Sequence, residues 1–144
     1  PVGIAVQELL AYHGLETDHI AIRTASYTGI DQQAREVRVY GLGCLIDVLD
    51  PEHRLLVIDD VFDTGRSVQA FLTELRARCR HNTPETIRIA TAYYKPSRNM
   101  TALKPDYFVH ETEEWLVFPH EICGLSEDEI RAHKPGAAQI LRRG

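Results

Sequence analysis

The sequence predicts an α/β domain in which helices flank a parallel β-sheet, and three observations favour that class. Leu55 to Ile58 form an unbroken apolar run, which is typical of a strand buried on both faces. A helical pattern follows it, with apolar residues on one face at Val68, Phe71, Leu72, Leu75 and Cys79. A second strand pattern covers residues 85–94. Strands that alternate with helices form right-handed crossovers, and these produce parallel sheets.

The elements before the central strand are shorter and more polar. Residues 1–14 predict a helix, with Pro1 at its first position and Gly14 at its stop. Residues 19–27 predict a strand with a polar end. Residues 28–35 are polar and without a sustained period, so we expect a loop. Residues 36–40 alternate polar and apolar side chains, as an exposed ribbon does.

After the second strand pattern, which ends at Lys95 and Pro96, the signals become weaker. Two short apolar pieces follow, at residues 107–109 and 115–118. Ser126 and Glu129 have the spacing of a capping box, which predicts a short helix that ends near Lys134. We expect residues 136–144 to be a weakly ordered tail.

Composition limits the class of protein. The chain has 144 residues, 44% of them hydrophobic, which suffices for one domain with a real core. A net charge of -5 argues against a general nucleic-acid surface, which needs a basic face. No apolar run has membrane-spanning length, and no signal peptide is visible. The three cysteines show no paired spacing, so we expect thiols in a reducing compartment. These features predict a soluble, cytoplasmic protein with no membrane or nucleic-acid partner.

The stretch around the central strand carries the chemistry. Asp59 and Asp60 come where the strand is expected to end, and residues 63–67 (Asp-Thr-Gly-Arg-Ser) form a polar turn before the helix. Such a turn directs amides and hydroxyls at an anion, beside carboxylates that suit a metal ion. The acids alone also allow a simple helix cap. A receiver domain would have its acidic pair nearer the start of the domain, and a Walker loop would need Gly-Lys-Ser or Gly-Lys-Thr.

Two further polar sites are expected at strand ends. Ser26 and Tyr27 close the first strand pattern, and Lys95 follows the strand at residues 85–94. Ligands of parallel α/β sheets bind at the carboxyl ends of the strands. We therefore expect these residues to converge with Asp59 and Asp60 on one ligand site.

The run from Leu55 to Ser67, two acids followed by Asp-Thr-Gly-Arg-Ser, resembles the phosphoribosyl pyrophosphate (PRPP) motif of type I phosphoribosyltransferases. Over most of residues 1–122 the chain is similar to the 6-oxopurine branch, that is, hypoxanthine and xanthine-guanine phosphoribosyltransferases. In that resemblance Ser26 and Tyr27 match the start of a mobile loop, and Lys95 matches the lysine that recognises the purine. Trp115 and Leu116 match the pair against which the base stacks.

The resemblance implies a role for each residue of the motif. Asp59 and Asp60 would hold the ribose hydroxyls and Mg²⁺, and Glu121 a second Mg²⁺. Asp63 would act on N7 of the purine as general base or stabilise an oxocarbenium-like state, and its presence favours oxopurines over adenine. The 5′-phosphate would be bound by Thr64, Gly65, Arg66 and Ser67. Two simpler interpretations stay open: Arg66 as a solvated side chain, and Trp115 as part of the core.

The resemblance also implies the fold and the activity. We expect a Rossmann-like phosphoribosyltransferase domain over residues 1–144, with a core at about 1–95 and a small hood at about 96–125. In that family an earlier strand and a pyrophosphate-binding loop precede the helix that Pro1 begins, and they are absent from this sequence; either the sequence begins late, which the resemblance favours, or the protein lacks part of its site. The implied enzyme transfers phosphoribosyl from PRPP to N9 of hypoxanthine, guanine or xanthine in purine salvage, as a homodimer or homotetramer. The alternative is a regulator that keeps the fold as a PRPP sensor.

Overall fold

The computed structural model describes residues 1–27, 36–118, 121–122, 125–134 and 136. In chain order the elements are α1 (Val2–Tyr12), β1 (Arg23–Tyr27), β2 (Glu36–Tyr40), α2 (Leu42–Ile46), β3 (Arg54–Phe62), α3 (Arg66–Cys79), β4 (Thr86–Tyr94), β5 (Tyr107–Glu111) and α4 (Glu127–His133). The predicted first helix is confirmed, and Gly14 follows it with a φ of +77°. The short helix α2 was not predicted, because five residues carry too little of a helical period to be recognised.

A parallel sheet confirms the predicted fold class. Its strand order is β3-β4-β5, with both neighbouring pairs parallel. The expectation that β3 is buried on both faces is wrong, since Leu55 to Ile58 are only half-buried. The reason is position: in the part of the chain that the structure describes, β3 lies at the edge of a three-stranded sheet. The sheet also extends to Glu111, beyond the expected limit of the core near residue 95.

β1 and β2 form a separate, antiparallel pair in which Ser26 lies opposite Val37. The argument that placed Ser26 and Tyr27 at the carboxyl edge of the parallel sheet is therefore wrong. It assumed that every strand joins one sheet, whereas the alternating pattern of residues 36–40 belongs to a ribbon partner of β1.

The core lies where α3 covers the parallel sheet. Its most buried large side chains are Phe62 at the end of β3, Leu75 on α3 and Leu42 on α2. The complete predicted stripe of α3 is buried, namely Val68, Phe71, Leu72, Leu75 and Cys79. This packing fixes the start of α3 against the end of β3, and so it fixes the turn between them.

The chain divides into two compact units, Pro1–Glu113 and Glu114–Gly144. In the second unit the predicted capping box is present: Ser126 Oγ accepts the Glu129 amide, and the Glu129 carboxylate accepts the Ser126 amide. α4 ends before Lys134, whose ammonium donates to the carbonyls of Phe118 and Glu121. The predicted loop at 28–35, Pro119, His120 and most of the tail at 136–144 lie outside the described residues. No helix in the described ranges has the length and apolar character needed to cross a membrane.

Candidate functional site

Two neighbouring carboxylates lie near the end of β3. Asp59 and Asp60 are half-buried within the strand, which continues to Phe62, and so they precede its end rather than follow it. Each carboxylate accepts the amide of the next residue, Asp60 N–H at 3.0 Å and Val61 N–H at 2.8 Å. Burial, and next the like charge of Asp60, raises the pKa of Asp59 to about 6. A cation beside this pair would relieve both effects.

The polar turn after β3 depends on a glycine. Gly65 has a φ of +74°, a conformation in which other residues are strained, and it is the N-cap residue of α3. A Cβ atom here would lie 2.5 Å from Thr101 Oγ1 and 2.9 Å from the Phe62 ring. Gly65 brings no capping side chain to the first amides of α3, and the described residues give only a long contact of 3.5 Å from Arg66 N–H to Thr64 Oγ1. Amides at an uncapped helix start can bind an anion.

The segment that follows β4, residues 96–103, supports this turn. The Met100 amide donates to the Thr64 carbonyl at 3.0 Å, and Thr101 packs against Gly65. Asn99 organises the segment, since its carboxamide accepts from the Thr101 amide and hydroxyl and donates to the Leu103 carbonyl at 2.7 Å. The turn and the segment are therefore one hydrogen-bonded structure.

The turn residue Asp63 lies beside the cation of Arg98. Its Oδ1 atom lies 2.8 Å from Nε of Arg98, and the two side chains are 33% and 46% exposed. Oδ1 itself is buried and accepts no well-aligned hydrogen bond from the described residues. The distance defines an ion pair, but the Arg98 Nε–H bond is not aligned with Asp63 Oδ1 well enough for a hydrogen bond.

Lys95 occupies a buried position at the end of β4. It is only 3% exposed, and its amide donates to the Phe62 carbonyl at 3.0 Å. A lysine directly after a strand is ordinarily a surface residue, and the structure shows that Lys95 is not. Glu113 lies close by, where its carboxylate accepts the Ser97 amide and hydroxyl, and these hydrogen bonds lower its pKa, with smaller contributions from the charges of Lys95 and Arg98.

The remaining predicted residues lie elsewhere. Ser26 is exposed on the ribbon. In the second unit Trp115 is 81% exposed, so it is not part of a core, and Leu116 is half-buried. Glu121 accepts the Phe118 amide at 2.9 Å. The structure thus brings together Asp59, Asp60, the turn at 63–67 and Lys95 in the first unit, while the roles of Ser26, Tyr27, Trp115, Leu116 and Glu121 stay predictions.

Arg98, Asn99 and Thr101 were missed by sequence reasoning. Asn-x-Thr after the Lys95-Pro96 breaker is a signal for a side-chain-stabilised turn, which could have indicated a structured segment. The contact between Thr101 and Gly65 joins residues 36 positions apart, and no local sequence pattern predicts it. In the described residues, no group of three or more His, Cys, Asp or Glu side chains forms a metal site by itself.

Comparison with known proteins identifies a domain type. The model of the phosphoribosyl transferase domain matches residues 49–126, more than half of the chain, from before β3 to the start of α4. A search of curated protein sequences gave no significant match.

Solved structures agree on the fold. A purine phosphoribosyltransferase from Pyrococcus horikoshii is 28% identical, with a TM-score of 0.52, and the match covers 73% of this chain and 62% of that one. A hypoxanthine phosphoribosyltransferase from Staphylococcus aureus is 20% identical, with a TM-score of 0.51, and covers 76% and 57%. A hypothetical protein from Neisseria gonorrhoeae with bound ppGpp is 17% identical, with a TM-score of 0.62, and covers 93% and 75%. This chain thus spans about three fifths of the length of the first two proteins.

Proposed function

Since the chain belongs to the phosphoribosyltransferase family, we propose that it transfers the 5-phosphoribosyl group from PRPP to N9 of a 6-oxopurine. The products are the nucleoside 5′-monophosphate and pyrophosphate. The observation that carries the proposal is the arrangement at the end of β3, where two half-buried carboxylates precede a turn with a left-handed glycine and an uncapped helix start.

The turn is suited to the 5′-phosphate of PRPP. A phosphate at the start of α3 accepts hydrogen bonds from backbone amides and gains from the helix dipole. Thr64 and Ser67 add hydroxyl donors, and both are half-buried, which limits competition from water. Gly65 allows the backbone to approach closely, because it has no Cβ atom. Arg66 is half-buried at the same helix start, where its charge would also favour the anion.

Asp59 and Asp60 fit the Mg²⁺ that the family implies. Mg²⁺ is usually bound by one or two carboxylates together with phosphate oxygens of the substrate, and this pair supplies two. The raised pKa of Asp59 supports the fit, because a neighbouring cation would favour its ionised form. When bound, the ion would neutralise charge on the departing pyrophosphate. The two carboxylates would also accept hydrogen bonds from the ribose hydroxyls and so orient the sugar.

Asp63 is the proposed catalytic residue. It follows the carboxylate pair and starts the phosphate turn, so we expect its carboxylate beside the position proposed for the ribose. There it would accept the proton from N7 of the purine as the bond to N9 forms, or stabilise positive charge developing at C1.

Lys95 is proposed to select oxopurines. An ammonium group has only hydrogen-bond donors, so it can bind O6 of an oxopurine, but not the 6-amino group of adenine. In a buried site, such a mismatch costs about 1–3 kcal/mol. The 3% exposure of Lys95 supports this selectivity, because water is not there to satisfy the mismatch. Trp115 and Leu116 are proposed to stack on the base, and Glu121 to contribute to a second Mg²⁺ site.

A panel of bases tests the proposal. The protein is incubated with PRPP, Mg²⁺ and either hypoxanthine, guanine, xanthine, adenine or orotate, and the nucleotide product is quantified. We expect turnover with at least one oxopurine and little with adenine or orotate. Binding of PRPP without turnover of any base would contradict a transferase.

That contrary result would favour the second candidate, a regulator that binds a nucleotide without converting it. The fold likeness to the Neisseria gonorrhoeae protein with bound ppGpp is the observation behind it, since a phosphate-rich nucleotide also suits the turn at residues 63–67. The net charge of -5 argues against a regulator that binds nucleic acid. A cytoplasmic location and a homodimeric or homotetrameric state stay predictions.

A further inference from the structure

The ion pair between Asp63 and Arg98 divides the Asp63 carboxylate into two different halves. Oδ1 is buried against Arg98 Nε at 2.8 Å, while the side chain as a whole keeps a third of its surface exposed. The exposed part therefore lies on the other side-chain atoms, which include Oδ2. Oδ1 is thus held inside beside the guanidinium, and a ligand can reach the Asp63 side chain only through its remaining, partly exposed atoms.

We propose that Arg98 is a positioning residue that sets the orientation of the Asp63 carboxylate toward the purine. This inference rests on the proposed phosphoribosyl transfer. Proton acceptance needs the acceptor oxygen at hydrogen-bond distance from the reacting atom, and small misplacements reduce rates strongly. Arg98 supplies that constraint from outside the turn, by charge rather than by an aligned hydrogen bond.

Stability gives a poor reason for this ion pair. Half-exposed ion pairs contribute little to folding, and Oδ1 lacks the aligned hydrogen bond that a stabilising pair would have. A buried acceptor without such a bond is unfavourable, and groups of this kind are concentrated at functional sites.

The backbone that carries Arg98 is fixed independently of the ion pair. The Arg98 amide donates to the Lys95 carbonyl at 3.2 Å, and Met100 is bonded to Thr64 in the turn. The guanidinium is therefore presented from a rigid segment that is attached to the same turn as its partner. This arrangement lets Arg98 act on the carboxylate without holding the turn itself.

Steady-state kinetics with R98Q, R98K and a matched control test the proposal. The control is R88Q, which removes another half-exposed ion pair, Arg88 Nη1 to Asp106 Oδ1 at 2.6 Å, at a distance along β4 from the turn. We expect R98Q to lower kcat by about 10- to 100-fold with a small change in the KM for PRPP, because the loss affects orientation. R98K keeps the charge and should recover part of kcat, while R88Q should retain it.

A double variant separates positioning from a structural role. If Arg98 acts through Asp63, R98Q added to D63N should cause no further loss of kcat. An equal loss in both backgrounds would overturn the proposal, as would full kcat in R98Q alone.

A crystal structure of R98Q without substrates gives a readout that does not depend on activity. We expect the Asp63 carboxylate to rotate or lose order, while the Met100 to Thr64 hydrogen bond and the position of Gly65 are unchanged. An unmoved carboxylate would overturn the positioning role even if no base is converted. Conversely, the Asp63 carboxylate could be displaced in R98Q while the parent protein converts no base. That result would contradict the proposed function, but the inference that Arg98 orients Asp63 would stand.

Discussion

Replacing Asp59 with Asn should make the free protein more stable while it weakens binding of Mg²⁺ and PRPP. Asn keeps the Oδ1 atom that accepts the Asp60 amide at 3.0 Å, so the local backbone has no reason to change. It removes the negative charge, which burial and the charge of Asp60 make unfavourable. The carboxylate is therefore held at a cost to stability, as expected for a group retained for binding.

The magnitude follows from the pKa. The pKa of Asp59 rises from its ordinary value of 3.8 to about 6 in the folded protein. Between these values the folded state holds a proton that the unfolded state has released, so stability falls as pH rises and the full loss is present above pH 6. At about 1.4 kcal/mol per pKa unit, the shift sets an upper limit of about 3 kcal/mol for the gain from D59N. Below the unfolded pKa the gain should disappear.

Urea denaturation followed by far-UV circular dichroism, at pH 8 and at pH 3.5 with chelator present, measures this difference. D60N is the matched control: it removes only the second cause of the shift, so its effect through Asp59 should be smaller. With Mg²⁺ and PRPP added, the parent protein should be stabilised more than D59N, because ligands that bind the folded state raise its stability and D59N binds them more weakly. Equal or lower stability of D59N at pH 8 without ligand would refute the reasoning.

Further predictions concern the turn and the metal. D63N should lower kcat by about 10²- to 10⁴-fold with little change in PRPP affinity, whereas T64A should mainly weaken the binding of PRPP. Steady-state kinetics measures both effects, and a near-normal kcat in D63N would mean that Asp63 only forms the turn. G65A should lose about 1–3 kcal/mol of stability, because of the φ of +74° and the 2.5 Å approach to Thr101; an unchanged melting temperature would show that the turn can relax. Turnover should need Mg²⁺ or Mn²⁺, because the Asp59 and Asp60 carboxylates suit a divalent cation; full turnover after exhaustive EDTA treatment would exclude the metal site.

Local patterns were sufficient for the central part of the fold. The apolar run at residues 55–58 predicted the strand β3, although not its half-buried state, and the stripe from Val68 to Cys79 predicted both α3 and its buried face. The capping box at Ser126 predicted the start of α4, because its two hydrogen bonds join residues only three positions apart and are therefore visible in the local sequence. The composition of the turn at residues 63–67 then indicated an anion site.

Contacts between distant parts of the chain were not accessible in this way. The sequence did not show that β1 pairs with β2 outside the parallel sheet, because a strand pattern does not specify its partner. It also did not show that Arg98 reaches Asp63, which lies 35 positions earlier. The burial of Lys95 could not be predicted for the same reason. Its position after a strand predicts an exposed side chain, and only the packed structure shows that other residues cover it.

The support that residues 96–103 give to the turn has a consequence for protein engineering. Loops after strands are usually the segments that can be exchanged or lengthened most freely. Here Thr101 fills the space beside Gly65, and Met100 holds the Thr64 carbonyl, so an insertion would move both contacts at once. A graft that transplants this loop from another protein should therefore carry residues 63–65 of the same donor. Grafting the loop by itself would deform the turn even if every new side chain were compatible with the surface.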